Sequence, residues 1–217
     1  MAASGTSRPR QIGKYRALFI AMIKSLKDLE IMLQGLHGFS KPKLHLEQYT
    51  TPPHLAASIV WLSFMRGELG RVVDVGCGPG VFAVAAASLG SKVVCMDVDE
   101  DAVKDCLSNS AQLSIDAVVM DALRPGIRDN YAATCFINPP FGIWSRHGLD
   151  TDMVKAALGF CNVIYSIHKR SIAATVLRKI GGQAVGHSTL VLPHTYPHHD
   201  KHRHDVEVII VRTEKRS

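Results

Sequence analysis

The chain has few cysteines and never sets two of them in a C-x-x-C spacing. Cys77, Cys95, Cys106, Cys135 and Cys161 stand apart and are odd in number. That pattern gives neither a zinc site nor a disulfide framework; cysteines inside apolar runs such as VVCMDV and ATCFI read as small buried hydrophobes of a reducing compartment. No apolar run reaches the roughly 20 residues of a membrane-spanning helix, and ALFIAMI falls far short. Internal repeats and a dividing linker are also missing. Acids are missing before Asp28, whereas Arg8, Arg10, Lys14, Arg16, Lys24 and Lys27 precede it. This start reads as a basic tail leading into a helix, with an organellar presequence as the alternative.

What is present is an ordinary globular balance. The 217 residues are 47% hydrophobic and 20% charged, enough for one sizeable core. A net charge of +6, before counting 11 histidines, points to a polyanionic partner, nucleic acid ahead of a membrane surface.

Tyr15, Leu18, Phe19, Met22, Ile23, Leu26, Leu29 and Leu33 recur at helical spacing after a disordered tail over 1–13. FSKPKLHLEQYTTPP is irregular, and a second helix is expected from His54 to about Arg66. From Arg71 strands and helices alternate. Strands are expected at Arg71–Val75, Lys92–Asp97, Ala117–Met120, Thr134–Ile137, Asn162–Ser166, Gln183–Leu192 and Asp205–Arg212. Helices are expected over VFAVAAASL, Asp99–Gln112, Asp150–Phe160 and Lys169–Ile180. Such alternation implies right-handed crossovers and an α/β, Rossmann-like fold. Its seven-stranded sheet is mostly parallel, with the last two strands as an antiparallel hairpin. Residues 14–66 form an N-terminal helical extension and lid, and 67–217 the core.

VVDVGCGPGVF follows the first strand and opens a helix, where ligands bind in such folds. A dinucleotide fingerprint needs glycine at 81, where this chain has Val81. The spacing is D-x-G-x-G-x-G, with Asp74 before Gly76, Gly78 and Gly80. An acid beside a tight glycine turn disfavours pyrophosphate and suits a ligand carrying an ammonium group, such as S-adenosylmethionine. Asp97 ends the second strand, placed to accept from ribose hydroxyls. Asp121 ends the third, placed to accept from an adenine amino group, with the Ala122 backbone as donor. Each signal alone is bland, since glycines make turns and Asp caps helices. Together, at three successive strand ends, they imply a class I S-adenosylmethionine-dependent methyltransferase.

FINPPFG ends the fourth strand with two prolines, which discard two backbone donors and fix two φ angles. Tetrapeptides of the form (Asp/Asn/Ser)-Pro-Pro-(Tyr/Phe/Trp) mark amino-group methyltransferases. An exocyclic amine or amide nitrogen is a poor nucleophile because its lone pair is delocalised. The Asn138 side-chain oxygen and the Pro139 carbonyl can accept its two N–H bonds, drawing the nitrogen toward tetrahedral geometry and stabilising the charge that develops. Pro139 and Pro140 hold those acceptors still, and Phe141 offers a stacking face to a flipped base.

On LKDLEIMLQGLHGFSKPKLHLEQYTTPPHLA, DVGCGPGVF, DVDEDAV, NPPFG, TDMVKAAL, YSIHK and DVEVIIV, the chain resembles the methyltransferase-like protein five family, N6-adenine methyltransferases of small-subunit (18S) ribosomal RNA. The resemblance runs from about Leu26 to the end. It implies a catalytic set of Asn138, Pro139, Pro140 and Phe141. It also implies a cofactor pocket lined by Gly76, Pro79, Val81, Asp97, Asp121 and Ala122, with Gln48 and Thr51 folding over it. A small zinc-ribbon activator is the implied partner, bound at the edge strand 115–120, with any zinc belonging to that partner and the isolated chain poorly soluble. The implied location is nucleus or nucleolus and cytoplasm. The chain departs from the family in its N-terminal extension, in Trp144 within GIWSRHGLD, and in PHTYPHHDKHRHD, where lysines are usual.

Lys43, His168, Lys169, Lys201 and Arg203 are candidate RNA contacts, Lys43 equally a lid residue and His168–Arg170 equally surface charge. In the loop holding His194, His198, His199, His202 and His204, Pro193 and Pro197 oppose a helical metal site; an RNA contact strengthened at acid pH is expected, with a solvated loop and then a metal site as the alternatives. A glutamine-amide methyltransferase and a non-catalytic RNA-binding subunit are the competing functions. Phe141 and the basic loop favour RNA over the first, and the intact Asp74, Gly76, Asp97 and Asn138 oppose the second.

Overall fold

A computed structural model describes residues 23–142, 144–192 and 204–215. The strands are β1 (Arg71–Val75), β2 (Lys92–Asp97), β3 (Ile115–Val119), β4 (Ala132–Ile137), β5 (Cys161–Lys169), β6 (Gln183–Leu192) and β7 (His204–Glu214). They form a seven-stranded sheet in the order β3-β2-β1-β4-β5-β7-β6. β1 to β5 pair in parallel, while β7 runs antiparallel to both β5 and β6. The strand order reverses between β1 and β4, which opens the cleft at their carboxyl ends.

Strand alternation sends successive side chains to opposite layers. Val72, Phe136, Tyr165 and Ile167 pack on one face, under α1 (Leu26–Gln34), α2 (Pro53–Met65) and α3 (Val81–Ser88). Val73, Val75, Cys135, Ile137 and Ile164 pack on the other, under α5 (Leu149–Ala157) and α6 (Ala173–Ile180). Every residue of α3 is buried, because the helix lies between the sheet and the N-terminal helices; its sequence, apolar up to the closing Ser88, follows from that position. α4 (Glu100–Asn109) flanks β2 and β3, with Asp99 as its N-cap as expected.

Three expectations change. The long first helix does not run unbroken into Leu33, because Ser25 caps α1, its Oγ accepting from the Asp28 N–H at 3.2 Å. Its proposed earlier half, from Tyr15 to Met22, and the tail over 1–13 lie outside the described residues. β5 continues to Lys169, so the last helix starts at Ala173 after a 3₁₀ turn over Arg170–Ile172. Cys135 and Cys161, read as unrelated buried thiols, lie on neighbouring strands with Cα atoms 6.1 Å apart, and their sulfurs meet. Their spacing of 26 residues carries no sequence signature of that contact.

Candidate active site

The cofactor end starts where β1 stops. Gly76, Gly78 and Gly80 all have positive φ, and two of them are also sterically obligatory. A Cβ on Gly78 would lie 2.6 Å from Phe39 Cζ, and one on Gly80 would lie 2.5 Å from Cys106 Sγ. The turn is anchored beneath: the N–H groups of Gly76 and Cys77 donate to the Met96 carbonyl, and Gly78 N–H donates to Asp97 Oδ2 at 2.9 Å. Asp97 Oδ1 accepts from Asp99 N–H at 2.9 Å, so the carboxylate is fixed at the cavity wall. Burial raises its pKa, and these backbone donors work against that rise.

Asp74 takes a different place from the one expected. It is buried, its Oδ2 accepts from Ala83 N–H at 2.9 Å, and it does not line the cavity. It ties the first turn of α3 to β1 from below the loop, and burial pushes its carboxyl well above the ordinary range. The cavity above has a volume of about 290 Å³ and is lined by Gly76, Gly78, Pro79, Val81, Asp97, Asp121 and Ala122, with Gln48 and Thr51 from the N-terminal segment. This matches a small amphipathic ligand with a carboxylate-seeking sugar edge and a backbone-bound turn, as S-adenosylmethionine requires. Met120, Leu123, Leu149 and Met153 complete the wall; nothing in their spacing distinguishes them from core.

The N-terminal segment closes over this cavity as a lid, held at three points. At the first, the Lys43 ammonium engages Asp99 and Asp101, and Gln48 Nε2 donates to Asp99 Oδ2 at 2.7 Å. Of the two readings open for Lys43, the structure places it in the lid, with its charge met by carboxylates rather than turned outward to phosphate. At the second point Glu47 adopts the left-handed conformation, φ 52°, and its Oε1 accepts from Trp144 N–H, Ser145 N–H and Ser145 Oγ–H, each at 2.8 Å. Burial works to raise the Glu47 carboxyl, but these donors prevail and hold it below its ordinary value. The third point is the tetrapeptide of Asn138, Pro139, Pro140 and Phe141. Asn138 Nδ2 donates to Thr51 Oγ1 at 2.9 Å, which turns Asn138 Oδ1 away from Thr51. Tyr49 Oη lies 3.1 Å from Asn138 Oδ1 and 3.4 Å from the Pro139 carbonyl oxygen. Its ring packs against Phe141 with centroids 5.3 Å apart.

Glu47 and Tyr49 are neighbours of the site that residue-type reasoning passed over. Asn109 joins the lid's approach to the cofactor turn, its Nδ2 donating to both the His37 and Pro79 carbonyls.

Of the candidate RNA contacts, Lys169 stands at the cleft, its ammonium 5.9 Å from the centre of the Phe141 ring. His168 does not. It is wholly buried, with Nδ1 at 2.9 Å from Asp150 Oδ2 and Nε2 at 2.8 Å from Ser166 Oγ. Both ring nitrogens are occupied, so it serves an internal network that ties β5 to the start of α5. Burial works to raise the Asp150 carboxyl, but the hydrogen bonds from His168 and the Thr151 N–H together outweigh it and lower the pKa. The misassignment came from ending β5 three residues early, which put His168 on a helix surface. Lys201, Arg203 and most of the histidine loop lie outside the described residues.

Under the glycine turn, Cys77, Cys95 and Cys106 bring their sulfurs within 4.8 Å of one another, all buried. They come from a loop, a strand and a helix, so no spacing announces the cluster.

Comparison with known proteins bears on the fold and the family. Residues 51–131 match the family model for ribosomal protein L11 methyltransferase (PrmA), a stretch that holds the glycine turn, Asp97 and Asp121. The zebrafish rRNA N(6)-adenosine-methyltransferase METTL5 is 33% identical over 86% of this chain and 97% of its own length. The Drosophila melanogaster protein of the same name is 33% identical over 87% of this chain and 96% of its own. A candidate RNA methyltransferase from Pyrococcus horikoshii superposes with a TM-score of 0.77 at 30% identity, covering 89% of this chain and 99% of that one. With sequence likeness of that extent over nearly the whole length of both chains, the S-adenosylmethionine-dependent methyltransferase whose fold and cleft are described above belongs to the METTL5 family of rRNA N(6)-adenosine-methyltransferases.

Proposed function

We propose that the chain methylates the exocyclic N6 of an adenosine in small-subunit (18S) ribosomal RNA, with the base flipped against Asn138, Pro139, Pro140 and Phe141. One observation carries this reading: Asn138 Oδ1 and the Pro139 carbonyl converge within hydrogen-bonding reach of a single atom, the Tyr49 hydroxyl. Two acceptors aimed at one point suit a nitrogen that carries two protons. Bound S-adenosylmethionine supplies an electrophilic methyl; Gln48, Asp97, Asp121 and the glycine turn would hold it. Asn138 and Pro139 accept the N–H bonds and stabilise the cationic nitrogen as it forms, and Thr51 keeps the Asn138 amide in the required orientation. Lys169 beside Phe141 adds positive charge at the cleft mouth, where a phosphate backbone passes.

The same reading includes a small partner protein at the β3 edge, where Val119 is exposed and strand hydrogen bonds are unpaired on one side. The test is methyl transfer from labelled cofactor to small-subunit rRNA. Label is expected in RNA as N6-methyladenosine and absent with Asn138→Ala. Label in protein would support a glutamine-amide enzyme, and no label anywhere a binding subunit.

A further inference from the structure

Tyr49 holds the place that the target amine would take. Its hydroxyl reaches both acceptors of the tetrapeptide, at 3.1 and 3.4 Å, and its ring lies against Phe141 at 5.3 Å with the planes tilted by 31°. An aromatic ring on Phe141 with a donor on Asn138 and Pro139 has the same anatomy as an adenine bound for N6 transfer. A base cannot be stacked between the two rings at that separation, since a stacked base needs about 3.5 Å on each side. The occupant is also an incomplete one. A phenol has one proton to donate, so at any instant one of the two acceptors has no donor from Tyr49.

We infer that Tyr49 is an internal competitor for the amine subsite and thereby a specificity-determining residue of the methyl transfer. The inference rests on the proposed role of the tetrapeptide. A base presenting an NH2 group restores both hydrogen bonds and satisfies one more acceptor than Tyr49 does, so the exchange is favourable. A base presenting a carbonyl sets an acceptor against two acceptors and leaves all three unpaired, so Tyr49 stays. The lid supplies the means of exchange: Tyr49 sits between Glu47 and Thr51, each held to the core by side-chain hydrogen bonds rather than by a backbone ladder. The Tyr49 phenol is kept protonated, because burial raises its pKa well above the ordinary value and Glu47 adds to the effect.

The test uses the full chain with Tyr49→Phe, which keeps the ring and removes the donor. An internal competitor weakened by one ordinary hydrogen bond should let kcat/KM for rRNA rise about fivefold, through a lower KM, with cofactor affinity unchanged. Unchanged or reduced kcat/KM, with the melting temperature retained, would overturn the inference. A second readout is independent of turnover. With fluorotyrosine incorporated and the Tyr49 signal assigned by its loss in Tyr49→Phe, adenosine monophosphate should move that resonance while uridine monophosphate leaves it in place. Equal movement by both nucleotides, or by neither, would also overturn it. If Asn138→Ala still methylates RNA at the native rate, the tetrapeptide reading itself fails, a result separate from either outcome at Tyr49.

Discussion

The two halves of the cleft are built by different means. The cofactor half is drawn from one stretch of chain: three glycines, two acids at or beyond the ends of successive strands and a helix start all lie within residues 76–121, and the turn is anchored mainly through backbone N–H donors. The substrate half is assembled from a distance, because the lid residues Glu47, Tyr49 and Thr51 meet Asn138 and Ser145 almost half the chain away. The first half tolerates little change in backbone and the second depends on a few side-chain contacts. Binding and chemistry can therefore be lost separately.

Asn138→Ala should break that comparison most severely. Removing an acceptor that stabilises developing charge is expected to lower kcat by roughly 100- to 1,000-fold. Cofactor affinity, measured by calorimetry, should remain within about twofold, since the proposed function sets Asn138 against the amine and the glycine turn makes no hydrogen bond to it; a parallel fall in both would merge the two halves. Gly80→Ala is the complementary change. The new methyl would meet Cys106 Sγ at 2.5 Å in a left-handed backbone, φ +85°, so overpacking adds to conformational strain. A loss of about 2–4 kcal/mol in denaturant unfolding is expected. Gly142→Ala, with φ +76° and nothing within 4 Å, should cost only the conformational part, about 1 kcal/mol.

A milder change separates the ends of the lid. Gln48→Ala removes a hydrogen bond to Asp99 on the cofactor side, and should raise cofactor KM about fivefold with kcat little changed. Smallest of all is the acid response of the lid. Glu47 has a folded pKa below its ordinary 4.5, so its stabilisation is fully present above that value and is lost as pH falls through the folded pKa. Protection of the Trp144 and Ser145 amides against hydrogen exchange, taken relative to their intrinsic rates, should fall below about pH 4.5 in the native chain. Glu47→Gln should remove that dependence; a variant that keeps it would locate the titrating group elsewhere.

This division also marks what the sequence could disclose. Arg71–Val75, Lys92–Asp97 and Gln183–Leu192 were bounded correctly because glycine, acid or proline punctuation falls at their ends. Gly78 and Asp97 were legible because their function is set by neighbours within a few residues. Tyr49 was not, since nothing near it in sequence shows that its hydroxyl reaches Asn138. His168 was misread for the same reason: YSIHK continues a strand whose pairing with β7 runs to Lys169↔Val208, and a short window cannot see that partner. The trio of Cys77, Cys95 and Cys106 and the contact of Cys135 with Cys161 are likewise products of tertiary proximity.

The lid's distant contacts also set an order in time. Gln48 lies 51 residues before Asp99, and Tyr49 lies 89 before Asn138. On a ribosome adding roughly 5–20 residues per second, Gln48 waits about 3–10 s for Asp99 and Tyr49 about 4–18 s for Asn138. The cofactor side of the cleft is thus available for closure several seconds before the substrate side exists.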